Sequence, residues 1–145
     1  MTNSDPSDAE AGRARRAIVA THGDLAAALV AAVAQITGRA DVLVPFTNRN
    51  LGGEEIERGL RDAVDANGAQ VLFTDMLGGS CALGARRLLR ERPDLVLVTG
   101  ANLSTLLDFV FNDDLSAREA AAHAAEKGRA SITVSAAPAE VRGAD

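Results

Sequence analysis

The sequence predicts an α/β fold, a three-layer sandwich built on a mostly parallel central sheet. Five short β-like runs alternate with helical patterns along the whole chain, the signature of βαβ units. The middle three of those runs are nearly continuous in apolar residues, as in strands covered on both faces. With 145 residues, 47% of them hydrophobic, the chain is long enough for one compact core and too short for two comfortable ones.

The first strand is read at "RRAIVAT" (15–21). A helix follows, because Leu25, Leu29, Ala32, Val33 and Ile36 fall on one face and Gly38 offers a left-handed stop. "DVLVPF" (41–46) is the second strand. "GGEEIERGLRDAVDANG" (52–68) places acids in the first turn of a helix and closes on Asn67-Gly68. "AQVLFTD" (69–75) is the third strand, and "GSCALGARRLLRERP" (79–93) is a helix with Ser80 as candidate N-cap and Pro93 as stop. "DLVLVTG" (94–100) is the fourth strand, followed by helices in "NLSTLLDFVF" (102–111) and "SAREAAAHAAEKG" (116–128). "ASITVS" (130–135) is read as a fifth strand. Residues 1–15 are expected to form a disordered leader, 16–135 the folded domain, and 136–145 a flexible tail.

The composition narrows the function. Four Phe, no Trp and no Tyr leave little for base stacking or an aromatic sugar cleft, and a net charge of −5 disfavours nucleic acid or an anionic membrane as partner. The longest apolar run, Leu25 to Ala34, is about half of the roughly 20 residues a membrane helix needs. A single cysteine, Cys81, excludes an internal disulfide and fits a reducing compartment, so a cytoplasmic protein is expected.

In an open parallel sheet, ligands bind beyond the carboxyl ends of the strands, where the strand order reverses. In the order 2-1-3-4, strands one and three are neighbours at that reversal. Strand one ends in Thr21, His22 and Gly23, and strand three ends in Asp75. A buried carboxylate needs a partner. If Asp75 accepts a hydrogen bond from one nitrogen of His22, it fixes the tautomer and leaves the other nitrogen as a nucleophile. Asp75 capping its own loop and a solvated loop histidine are the bland alternatives. In "DMLGGSC" (75–81), Gly78 and Gly79 permit positive φ, and the amides of Gly79, Ser80 and Cys81 can face an anion at a helix start. Thr21, Gly23 and Asn102 (the last following strand four) flank these positions as supporting candidates. Asp24 reads as a helix cap, His123 as an ordinary helix residue, and Cys81 as a small packing residue rather than a reactive thiol. Metal-ligand spacings are absent, and neither a metal nor another cofactor is expected.

The stretches "IVATHGDLAAAL", "VLFTDMLGGSCALGARRL", "VTGANLSTLLD" and "AAEKGRASITV", in this order, resemble the mannose-family IIA proteins of the phosphoenolpyruvate-dependent sugar phosphotransferase system. The resemblance implies a phosphotransferase whose phosphorylated histidine is His22, carrying the group on Nε2. It implies Asp75 as the orienting acid and Ser80 as a phosphate contact. It further implies a histidine-containing phosphocarrier protein as donor and a separate IIB component as acceptor, with the membrane met only through a permease complex. A homodimer is expected, the fifth strand running antiparallel and open to exchange between subunits. Two positions depart from the family pattern: Cys81 stands where Pro is usual, and Met76 where a small hydroxyl residue is common.

Three rival readings remain. The same relay could serve regulation rather than sugar uptake. Ser80, His22 and Asp75 could form a small hydrolase, although Ser80 lacks a G-x-S-x-G elbow. A nucleotide-binding domain ranks last, since neither G-x-G-x-x-G after strand one nor a Walker A loop is present.

Overall fold

The computed structural model describes residues 16–139; the expected leader and the last residues of the tail lie outside them. Four strands form one parallel sheet in the order β2-β1-β3-β4: β1 (Ala17–Thr21), β2 (Leu43–Thr47), β3 (Val71–Thr74) and β4 (Val96–Val98). The register sets Ala20 opposite Thr74 and Thr21 opposite Thr47, so the ends of β1, β2 and β3 meet along one edge. Pro45 is accommodated because β2 is an edge strand.

Among the described residues, five helices cover the two faces: α1 (Leu25–Thr37), α2 (Gly53–Asn67), α3 (Ser80–Glu91), α4 (Leu103–Phe111) and α5 (Ala117–Ala130). Alternation along β1 divides the core. Ala17 and Val19, with Val71 and Phe73 of β3, pack against α1, α4 and α5. Ile18, Ala20 and Leu72 pack against α2 and α3. All five residues of β1 are buried, which is why its sequence runs apolar without a polar face. Phe73 meets Phe109 edge to face with ring centroids 5.1 Å apart, a geometry worth about 0.5–1.5 kcal/mol beyond area burial. The three layers and the 2-1-3-4 order are those expected from the sequence, and Gly38 closes α1 at φ 74° as expected.

The fifth strand expected over 130–135 is not seen in the described single chain. Helix α5 runs through Gly128 to Ala130, and residues 132–139 carry no regular structure. Gly128 serves contact rather than termination: it lies against the start of α4, where a methyl group would overlap Thr105 Oγ1. Asn102 caps α4 with a reciprocal capping box, and its Nδ2 donates to Gly128 O at 3.1 Å. The chain therefore stays helical past the glycine. Beyond it, Ile132 and Val134 pair with no strand of the described sheet and are 75% and 94% exposed.

Gly128→Ala should lower the unfolding temperature by a few degrees, because overpacking of about 1–3 kcal/mol outweighs the gain of at most about 1 kcal/mol in helix propensity. Thr105→Ala in the same background should recover part of that loss. Calorimetry of the two variants checks both.

Candidate functional site

The site lies at the carboxyl edge of the sheet, between the ends of β1 and β3. The chain leaves β1 at His22 and turns into α1 through Gly23, whose φ is +58°. The ring of His22 is 42% exposed, and its Nδ1 lies 2.9 Å from Asp75 Oδ2 on the neighbouring strand. The same carboxylate oxygen accepts the backbone N–H of His22 at 3.1 Å. Two bonds from one residue thus fix both the ring and the backbone beneath it. With Nδ1–H donating to the acid, Nε2 is the nitrogen left with a lone pair.

Burial acts to raise the pKa of Asp75, but the side-chain and backbone hydrogen bonds from His22 together outweigh it and leave it below the ordinary value of 3.8. The acid is ionised at neutral pH and ready to balance a positive imidazole. Its other oxygen, Oδ1, and the hydroxyl of Thr21 are buried without a hydrogen-bond partner among the described residues.

Nε2 faces the glycine turn. Gly79 adopts φ 91°, and a Cβ at that position would stand 3.2 Å from Cε1 and 3.4 Å from Nε2 of His22. Only a residue without a side chain fits so close to the ring. Gly79 is also the N-cap of α3, and no side chain caps it. The amides of the first turn of α3 are therefore oriented donors beside the imidazole edge. Ser80 is the first helical residue rather than the cap expected from the sequence, because the Gly78-Gly79 turn already supplies the non-helical position.

Cys81 is buried against the α2 and α3 side of the core. Burial, and then the charge of Asp75, push its thiol up to about 11, so it is not a thiolate at neutral pH. Asn102 does not join the site. Its Oδ1 accepts from Thr105 N at 2.9 Å, and its Nδ2 is held by Gly128 O, so its work is to fasten α4 to α5. Asp24 stands at the N-cap of α1 but makes no side-chain cap there; it pairs with Arg49 instead. His123 pairs with Asp108 Oδ2 at 2.6 Å and bridges α5 to α4.

The β2–α2 loop contributes residues absent from the sequence reading. Asn48 donates its backbone N–H to Thr21 O at 3.2 Å and its Nδ2 to Ser80 Oγ at 3.1 Å. Arg49 lies across the same turn, with Nη1 3.0 Å from Asp24 Oδ1. The polar run "TNRN" directly after an apolar strand was the available signal. No hydrogen bond joins Ser80 to His22 among the described residues, so the hydrolase arrangement is not assembled. Within the same residues, no group of three His, Cys, Asp or Glu is placed to hold a metal, and no helix is long and apolar enough to cross a membrane.

Because the folded pKa of Asp75 is lowered, its ionisation adds stability that is complete above the unfolded value and is lost as pH falls through the folded one. Asp75→Asn lacks that ionisation. Its unfolding midpoint in urea should therefore fall less than that of the unaltered chain between pH 6 and pH 3.

Comparison with known proteins follows the same line. A search of curated proteins gives no match. Among solved structures, the mannose/sorbose-specific IIA subunit of the phosphotransferase system from Enterococcus faecalis superposes with a TM-score of 0.74 at 22% identity, covering 87% of this chain and 98% of that one. The phosphotransferase system component EIIA from Streptococcus agalactiae gives 0.74 at 18% identity, covering 82% and 95%. The IIA protein associated with the fucose utilization operon of Streptococcus pneumoniae gives 0.71 at 21%, covering 83% and 92%. These likenesses establish a shared fold. The family model EIIA-man, described as the PTS system fructose IIA component, matches residues 16–126, most of the chain. The protein belongs to the EIIA-man family and is a IIA component of the phosphotransferase system.

Proposed function

We propose that the protein is a phosphoryl carrier that accepts phosphate on His22 Nε2 from the histidine-containing phosphocarrier protein and passes it to a separate IIB component for sugar uptake. The observation that carries this reading is the 2.9 Å bond from His22 Nδ1 to Asp75, which turns the opposite ring edge onto the Gly79 turn. Imidazole attacks phosphorus well and leaves it well. The reaction then asks mainly for position and for charge balance around an in-line transfer.

In the accepting step, the lone pair of Nε2 forms a bond to phosphorus as the bond to the donor's histidine nitrogen breaks, and the donor keeps that electron pair. Nδ1 keeps its proton throughout. Asp75 balances the positive charge that develops on the ring, and the amides at the start of α3 face the phosphoryl oxygens. The donating step reverses this at the IIB component. No nucleotide is needed when the incoming group is already a phosphohistidine.

Met76 and Leu77 on the glycine loop, Leu25 on α1 and Leu83 on α3 are exposed around the site, a surface suited to another protein rather than to a small sugar. The homodimer expected from the resemblance has its support at the opposite end of the sheet. Strand β4 has an open edge, and Ile132 and Val134 alternate with polar residues in the segment that follows α5. Residues 132–135 are proposed to pair with the partner subunit's sheet, which would give the expected fifth strand its edge and bury both side chains.

With phosphoenolpyruvate, enzyme I and the phosphocarrier supplied, the protein should gain one acid-labile phosphoryl group. His22→Ala should lose it and His123→Ala should keep it. Asp75→Ala should slow transfer about tenfold or more, since an unoriented ring forfeits its near-attack geometry. Failure of the unaltered chain to take up phosphate would remove the reading. For the dimer, sedimentation should show two subunits, and Ile132→Asp with Val134→Asp should release monomers that remain folded.

A further inference from the structure

Arg49 is a strong cation that the fold lays against the histidine turn with an exposed acid, Asp24, as its ion-pair partner. The loop that carries it is fastened to that turn at several points. Thr47 Oγ1 donates to Gly23 O at 2.8 Å and accepts the N–H of Arg49 at 3.1 Å. The N–H of Asn48 reaches Thr21 O, and its side chain reaches Ser80. The guanidinium then lies beside the residue after His22: a Cβ on Gly23 would be 3.6 Å from Nη2. By contrast, the neighbouring Arg86 is tied down, donating to Leu77 O at 2.6 Å on the far side of the glycine loop.

The partner that Arg49 has, Asp24, is a weak hold. The two side chains are 54% and 85% exposed, and an ion pair so open to water contributes little. A phosphoryl group on Nε2 brings a charge of about −2 to the same turn. Its greater negative charge draws a guanidinium more strongly than a solvated carboxylate does, and the planar fork can bind two of its oxygens at once. The amides of α3 face the group from the Gly79 side, and the β2–α2 loop flanks it from the Gly23 side.

Resting on the carrier reading above, we propose that Arg49 leaves Asp24 and binds the phosphoryl oxygens when His22 is phosphorylated, with Asp24 as its counter-ion in the free state. Arg49 is thus a phosphoryl contact in transfer. It balances charge that the glycine-loop amides meet only in part, and it makes the chain's own residues, rather than a partner's, supply the cation.

Phosphoramidate separates this role from protein docking, because it donates to histidine with no protein partner. The Nε2 lone pair bonds to phosphorus, and ammonia leaves with the former P–N electron pair. Phosphohistidine formation, followed by ³¹P NMR, should slow about tenfold in Arg49→Met with phosphoramidate and to a similar degree with the phosphocarrier. Arg49→Lys should recover part of the loss, and the ³¹P shift of the phosphohistidine should differ between Arg49→Met and the unaltered chain. The exposed position means that both variants should unfold at the unaltered temperature. Slowing with the phosphocarrier alone would make Arg49 a docking residue and overturn the proposal, as would unchanged rates with both donors. If the unaltered chain takes no phosphate from either donor, the carrier reading itself is lost. That result is distinct from a normal chain with an indifferent Arg49.

Discussion

The hydrogen bond from His22 Nδ1 to Asp75 Oδ2 joins two strands that are adjacent only because the sheet is wound in the order 2-1-3-4. The residues stand 53 positions apart in sequence, and each lies just beyond the last residue of its strand. Neither could hold the other from a flexible loop: β1 and β3 are buried throughout, and a shift of one register step would carry Asp75 to the wrong face. The fold's central constraint is therefore the seating of two apolar strands side by side. The chemistry occupies the first polar positions past the point where that seating ends.

The bond is also asymmetric. Oδ2 takes two donors from His22, whereas Oδ1 is buried with no hydrogen-bond partner among the described residues. A carboxylate so placed is costly to bury, and the His22 contacts offset part of that cost. Rotating the ring away would strip the acid of a strong donor, so the imidazole is held in one orientation without being enclosed. Opposite the acid, Gly79 brings backbone to the ring at a distance that a side chain would deny. An anion on Nε2 meets amide dipoles on one side of the ring, and a fixed carboxylate sits on the other. Those charges would serve the carrier chemistry proposed for His22.

Most of this was legible in the sequence because it follows from local rules. Apolar runs of strand length and helical spacing give the layers, and the first polar residues after β1 and β3 give His22 and Asp75. What escaped depended on contacts between elements. Gly128 reads as a helix stop, yet its missing side chain admits Thr105 and α5 continues. Residues 130–135 have strand periodicity, but a strand needs an edge to pair with, and periodicity alone does not say which edge. Asn102, by its place after β4, looked like a site residue and proves to be a cap. Asn48 and Arg49 come to the site only through loop hydrogen bonds to Thr21, Gly23 and Ser80, which no spacing rule encodes.

The departure at residue 81 acts on the backbone more than on the side chain. Proline in the first turn of a helix supplies no N–H, whereas Cys81 does. The turn that faces His22 therefore holds consecutive amides at Gly79, Ser80 and Cys81, one more donor than the usual family pattern allows. The thiol is kept from competing with them. It is turned into the core with Ile56 and Leu60, and its pKa is raised to about 11, so no thiolate adds negative charge beside the glycine turn. A cysteine here keeps the compactness of an apolar residue and gains a donor. The cradle is then polarised by helix dipole and amides, with Arg49 the nearby cation available from the opposite flank.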